Sequence, residues 1–176
     1  MKRTLVVRLT LVVVLSVAAF LYAQAPAAGT VEHIKVHAKS LEANLLGDSP
    51  DRDVFVYLPP SYQANRNQRY PVVYLLHGYG LTAERWVPFI GMPELADKDI
   101  AAGTSKEMIL VSPDAFNKYN GAMYSSSPTN GDWETFLTKE LVAYVDKNYR
   151  PQQAGGSNPL MPSKPNMPRG AGRAMH

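Results

Sequence analysis

The sequence contains no cysteine. That absence excludes a disulfide framework, a thiolate zinc site, an iron–sulfur cluster and a cysteine nucleophile together. Acidic residues also run out early, with none after Asp146. Charge is sparse, at 19% of 176 residues against 45% hydrophobic, a balance too apolar for a disordered chain. The formal charge of +3 suggests nucleic acid only until its carriers are located. Lys2, Arg3 and Arg8 lie in the first eight residues, and residues 26–176 hold fifteen basic and fifteen acidic side chains. Residues 26–150 alone carry twelve basic and fifteen acidic, a surface that argues against a nucleic-acid partner.

Long hydrophobic runs are equally scarce, and the one that stands out spans Leu9 to Tyr22 behind the basic start. With the small-x-small Ala23-Gln24-Ala25 after it, this stretch reads as a secretory signal over residues 1–25, which implies a secreted or periplasmic protein. Pro26 fits poorly just after that site, so the cut is expected within a few residues on either side. The run is short for a bilayer, so an uncleaved anchor is the alternative and no stable membrane span is expected after cleavage. Residues 151–176 contain five prolines, four glycines and Leu160 as their only branched aliphatic. Such a stretch buries too little apolar surface to offset its ordering entropy, and an irregular tail is expected.

Between these ends, Val31–His37 and Arg52–Leu58 alternate apolar with polar residues, and Gly47-Asp48-Ser49-Pro50 breaks the chain between them. Two antiparallel strands follow. Val72–Leu76 and Met108–Val111 are continuous β-prone runs of the kind buried on both faces, separated by a helix over about Pro93–Ala102, which predicts a parallel βαβ unit. Phe116–Asn130, rich in Asn, Ser, Gly and Tyr, reads as a long surface loop. Asp132 reads as an N-cap, and Phe136, Leu137, Leu141, Tyr144 and Val145 mark one side of a helix running to about Asn148.

His77-Gly78-Tyr79-Gly80 ends the first buried run, where open α/β sheets place ligands. Gly78 and Gly80 permit a tight turn and close backbone approach, so the Tyr79 amide is a candidate oxyanion donor in acyl transfer; an ordinary glycine turn is the alternative. His33 and His37 share a strand face without a third ligand, and no metal site is expected. Tyr119, Tyr124 and Trp133 are candidates for an aromatic sugar platform, or for loop packing. Asp114 faces a cleft or caps a strand end, and Trp86 with Phe89 is assigned to the core. Glu134 either reaches the cleft or answers the helix dipole.

The ordered series Val56-Tyr57-Leu58-Pro59-Pro60-Ser61-Tyr62, Arg69-Tyr70-Pro71-Val72-Val73-Tyr74-Leu75-Leu76-His77-Gly78-Tyr79-Gly80, Val111-Ser112-Pro113-Asp114 and Asp132-Trp133-Glu134-Thr135-Phe136-Leu137 resembles the putative esterase family of α/β-hydrolases. That family includes feruloyl and acetyl-xylan esterases, S-formylglutathione hydrolase and mycolyltransferases. The resemblance covers about residues 31–150. It implies the N-terminal part of an α/β-hydrolase fold, a mixed sheet with an antiparallel edge, parallel strands and flanking helices. It also implies a serine acyl-hydrolase scaffold with Tyr79 as one oxyanion donor; Gly78 is the second oxyanion-hole candidate, His77, Gly80, Asp114, Trp133 and Glu134 are the candidate cleft-lining residues, and no cofactor is expected.

Soon after Tyr149-Arg150 the family continues with an apolar strand and a G-x-S-x-G elbow, then the acid, then the histidine. Here Gly155-Gly156-Ser157-Asn158-Pro159 has proline where the last glycine belongs, no acidic residue follows, and His176 is the only downstream histidine. The expectation is a C-terminally truncated family member: signal 1–25, partial domain 26–150, substituted tail 151–176, no catalytic triad and therefore no activity. Its partner would be an ester or acylated carbohydrate. A non-catalytic carbohydrate-binding module and an unstable fragment are the alternatives.

Overall fold

The computed structural model describes residues 28–152. The expected signal and most of the expected tail therefore lie outside the described residues. Four strands, β1 (Thr30–His37), β2 (Asp51–Leu58), β3 (Val72–Tyr74) and β4 (Ile109–Pro113), form one sheet in the order β1-β2-β4-β3. β2 pairs antiparallel with both β1 and β4, while β3 runs parallel to β4. The expected antiparallel edge and parallel pair are thus both present.

Burial follows position in the sheet. All five residues of the inner strand β4 are buried, as expected of a strand covered on both faces. β3 departs from expectation: Val72, Val73 and Tyr74 are only half-buried and Leu76 is 44% exposed. Its outer edge is paired at a single point among the described residues, a parallel bridge between Tyr70 and Pro151. The amide of Tyr70 donates to the Arg150 carbonyl at 2.9 Å and that of Gln152 donates to the Tyr70 carbonyl at 2.8 Å. Pro151 and Gln152 thus belong to the sheet margin, not to an irregular tail. Arg150 fixes this junction by stacking on Tyr62, 3.8 Å from the ring centroid, and donating to the Tyr62 carbonyl.

Helices cover both faces. α1 (Ala83–Phe89) and α2 (Met92–Ala101) connect β3 to β4 and bury Val87 and Met92 against Tyr57 and Leu110. Only α2 was expected; Pro88 inside α1 and Gly91 after it obscure α1 in the sequence. Gly91 turns the chain from one helix to the next at φ +58, a value that favours glycine. Phe89 is 78% exposed, which overturns its assignment to the core, and Trp86 is half-buried.

On the other face lie α3 (Trp133–Thr135), a π-helical turn (Phe136–Glu140) and α4 (Leu141–Asn148). Phe136 and Leu141 are both fully buried although five residues apart, a step that overshoots the 3.6-residue turn of an α-helix. The wider π turn, closed by the Leu141 amide on the Phe136 carbonyl, keeps both on the core side beside Val54, Val56 and Val111. No helix among the described residues is long and apolar enough to cross a membrane.

β1 and the turn after it are held by charge at the surface. His37 contacts Asp51 Oδ1 through Nδ1 at 2.7 Å and Glu42 Oε1 through Nε2 at 2.9 Å. Bridging two carboxylates requires both ring nitrogens to donate, so the hydrogen bonds to Asp51 and then Glu42 raise its pKa above the usual 6.5. A raised folded-state pKa contributes stability that is complete below the unfolded value and disappears as pH rises through the folded one. His37→Gln should therefore lower the thermal midpoint clearly at pH 5.5, and parent and variant should converge by pH 8.5 in paired melting curves.

Candidate active site

β3 and β4 run parallel, so the loops that follow them emerge at the same end of the sheet. The pairing continues one residue beyond β3, where the Leu75 amide donates to the Val111 carbonyl at 2.8 Å, and the chain then turns through His77-Gly78-Tyr79-Gly80. Gly80 sits at φ +79, which only glycine adopts without strain. Nothing stands within 4 Å of where a Cβ would project from Gly78 or Gly80, so both border open space. Tyr79 is 66% exposed, and its backbone amide has no hydrogen-bond acceptor among the described residues. An unpaired amide on a loop beside open space is free to donate to a bound group, which makes Tyr79 a candidate oxyanion donor.

His77 is placed otherwise than expected. It is 4% exposed and anchors the loop from beneath instead of lining a cleft. Its Nε2 accepts from the Ala115 amide at 2.8 Å, which leaves Nδ1–H to donate to the Gly78 carbonyl at 3.0 Å. The 3.3 Å approach of Nε2 to Asp114 Oδ1 is then a contact without a shared proton. Tyr124 packs edge-on against the ring, and its hydroxyl donates to the His77 carbonyl at 2.9 Å.

Asp114 takes the structural alternative. Its Oδ1 accepts from the Ala83 amide at 2.9 Å, satisfying a free N–H at the start of α1, and its Oδ2 accepts from Arg52 Nη2 at 3.2 Å. Burial pushes this carboxyl up, but the polar groups packed round it outweigh burial and hold its pKa below the usual carboxylate range. The arginine is 6% exposed. It also donates from Nε to the Asp114 carbonyl at 3.1 Å, from Nη1 to the Ser49 carbonyl at 3.3 Å and from Nη2 to the Phe116 carbonyl at 2.6 Å. Its guanidinium lies over Trp133, 5.1 Å from the ring centroid.

Trp133 is consequently core, 2% exposed, with its indole N–H donating to the Asn130 carbonyl at 3.0 Å. This rules it out as a cleft wall and as a sugar platform with the exposed Tyr119. Glu134 is exposed and accepts from the Ser126 amide at 3.4 Å. Asp132 caps its helix as expected, accepting from the Thr135 amide at 3.0 Å, and hydrogen bonds from the Ser126 hydroxyl and Thr135 hold its pKa down to about 2. His33 pairs with Asp53 at 2.8 Å, and the described residues contain no group of three His, Cys, Asp or Glu able to hold a metal.

The family model described as "Putative esterase" matches residues 49–160, more than half of the chain. The chain belongs to this family. An esterase of Mycobacterium tuberculosis is 33% identical over 103 residues, 55% of this chain and 20% of that protein. An endo-1,4-beta-xylanase/feruloyl esterase of Xylanibacter ruminicola is 36% identical over 100 residues, 53% of this chain and 13% of its own length. Among solved structures, a ferulic acid esterase superposes with a TM-score of 0.59 at 28% identity, covering 70% of this chain and 45% of its own. The S-formylglutathione hydrolase of Agrobacterium tumefaciens superposes at 0.54 with 15% identity, covering 73% of this chain and 47% of its own, a likeness of fold. This esterase-family chain thus spans less than half of the structures it matches, and its mixed sheet with flanking helices is that of the α/β-hydrolase esterases.

Arg52 and Asn117 escaped the sequence reading. Arg52 shares strand parity with Val54, Val56 and Leu58, and that inward parity was the available signal. The Tyr124 hydroxyl is the simplest of these contacts to remove. Tyr124→Phe should cost about 0.5–1.5 kcal/mol in urea unfolding, the usual worth of one such hydrogen bond.

Proposed function

We propose that this family member carries the oxyanion-donating part of a serine-type carboxylic-ester hydrolase or acyltransferase site. We further propose that it acts outside the cytoplasm on an ester of an acylated carbohydrate and does not complete the catalytic set by itself. The observation that carries this reading is the free amide of Tyr79, held on a left-handed Gly80 turn beside open space. When a hydroxyl attacks an ester carbonyl, the carbonyl oxygen becomes an anion, and a preset N–H about 2.7–3.1 Å away stabilises it without reorganising. His77, though in the loop, has both nitrogens committed to backbone groups and cannot serve as general base.

A nucleophile needs a base within hydrogen-bond reach. Among the described residues no serine hydroxyl is hydrogen-bonded to a histidine, and His33 and His37 on β1 pair with the β2 carboxylates of Asp53 and Asp51. The ester class rests on the likeness to a ferulic acid esterase and to a xylanase/feruloyl esterase. Export rests on the basic start and apolar run of residues 1–25. A second reading, binding of the acylated sugar without cleavage, is favoured by the exposure of Tyr79 at 66% and Tyr119 at 62%.

The full chain should unfold cooperatively, release no p-nitrophenol from p-nitrophenyl acetate above the buffer rate, and change its aromatic emission saturably with methyl ferulate. Turnover abolished by Ser157→Ala would overturn the incomplete catalytic set. Absence of saturable methyl ferulate binding would overturn the ligand cleft.

A further inference from the structure

The loop after β4 carries an unusual density of left-handed backbone. Asn120 has φ +67, Gly121 +151, Met123 +54 and Tyr124 +54, so three of the four positions are not glycine. Such conformations persist only where surrounding contacts over-determine them, and they concentrate where a loop must hold one shape. At Asn120 and Gly121 those contacts converge on Asn117.

Asn117 is 5% exposed. Its Oδ1 accepts from the Tyr119 amide at 2.9 Å and from the Gly121 amide at 3.0 Å, while its own carbonyl accepts from the Asn120 amide at 2.9 Å. Three successive amides are therefore captured by one residue. The side-chain Nδ2 is buried with no partner. An asparagine whose oxygen is doubly used and whose nitrogen is left unpaired is placed for its acceptor, despite the cost of the orphaned donor.

The captured segment is joined directly to the candidate oxyanion loop. The Asn120 carbonyl accepts from the Gly80 amide at 2.8 Å. A Cβ at Gly121 would lie 3.4 Å from the Tyr79 ring at Cδ2 and 3.9 Å from Tyr79 Cα, so Gly121 packs directly against Tyr79. We propose that Asn117 is a positioning residue for the Tyr79 oxyanion amide, setting it through Asn120 and Gly80 without touching substrate. The proposal rests on the reading of that amide as the donor.

Amide hydrogen exchange on the ¹⁵N-labelled full chain tests it. The Gly80 amide reports the loop, and the Ile109 amide, which donates to the Pro71 carbonyl at 2.9 Å, reports the sheet. Asn117→Ala should accelerate exchange at Gly80 about tenfold, leave Ile109 unchanged and weaken methyl ferulate binding. Asn117→Asp keeps the acceptor oxygen and should restore slow exchange at Gly80. Unchanged Gly80 exchange in Asn117→Ala, equal acceleration at Ile109, or failure of Asn117→Asp to rescue would each overturn the proposal. Loosening at Gly80 with unaltered methyl ferulate binding would instead uphold the positioning while showing that the Tyr79 amide does not hold the bound ground-state ester.

Discussion

A guanidinium taken out of water must recover its lost hydration from the protein, and in this fold Arg52 does so at the join of three segments that would otherwise be free to part. Its N–H groups reach the Ser49 carbonyl before β2, the Asp114 carbonyl and carboxylate after β4, and the Phe116 carbonyl in the following loop. Its flat face lies on Trp133 at the start of the last helical run. Burial lowers its pKa, and Asp114 counters that most strongly. Lysine offers a compact ammonium in place of a planar fork and could not satisfy all of these separated acceptors at once. Removing one partner of such a buried pair typically costs about 3–5 kcal/mol, a large share of the stability of a single domain.

The candidate site inherits its rigidity from this junction. Asp114, held by Arg52, accepts the Ala83 amide at the start of α1, and the next amide, that of Ala115, fixes the His77 ring. His77 in turn lies under Gly78, and Tyr124 secures its carbonyl from above. A continuous series of hydrogen bonds therefore runs from a buried charge to the backbone that presents the Tyr79 amide. At the opposite end of the sheet a second polar cluster does comparable work. Ser61 donates to Glu107 and exchanges a 2.8 Å hydrogen bond with Tyr70, next to the point where Arg150 and Pro151 join the sheet. With both ends tied, the strands between them fix where each loop emerges.

Much of this was legible in the sequence because it rests on periodicity. The alternation of β1 and β2, the apolar run of β4 and the Asp132 cap each belong to local patterns that a single residue type announces. What was hidden depends on partners distant in sequence. β3 reads as fully buried, but burial of its outer face needs a neighbour, and among the described residues only Pro151 pairs there. α1 is masked by Pro88, Trp133 reads as a ligand contact although the guanidinium of Arg52 lies over its ring, and Phe89 points outward although its composition suggests core. The π turn appears only as a five-residue step between Phe136 and Leu141. The turn after β3 was legible from its glycines, whereas the residues that brace this candidate oxyanion loop, Arg52, Asn117 and Tyr124, bond to backbone groups that carry no signature of their own.

The dependence of the structure on Arg52 is measured most directly by a double-mutant cycle in urea, with Arg52→Met, Asp114→Asn and the combined variant. If the pair joins β2 to the loop after β4 as described, the two substitutions should be strongly non-additive, with a coupling of about 2–3 kcal/mol. Additivity to within about 0.5 kcal/mol would show that guanidinium and carboxylate are held independently, and would contradict the account.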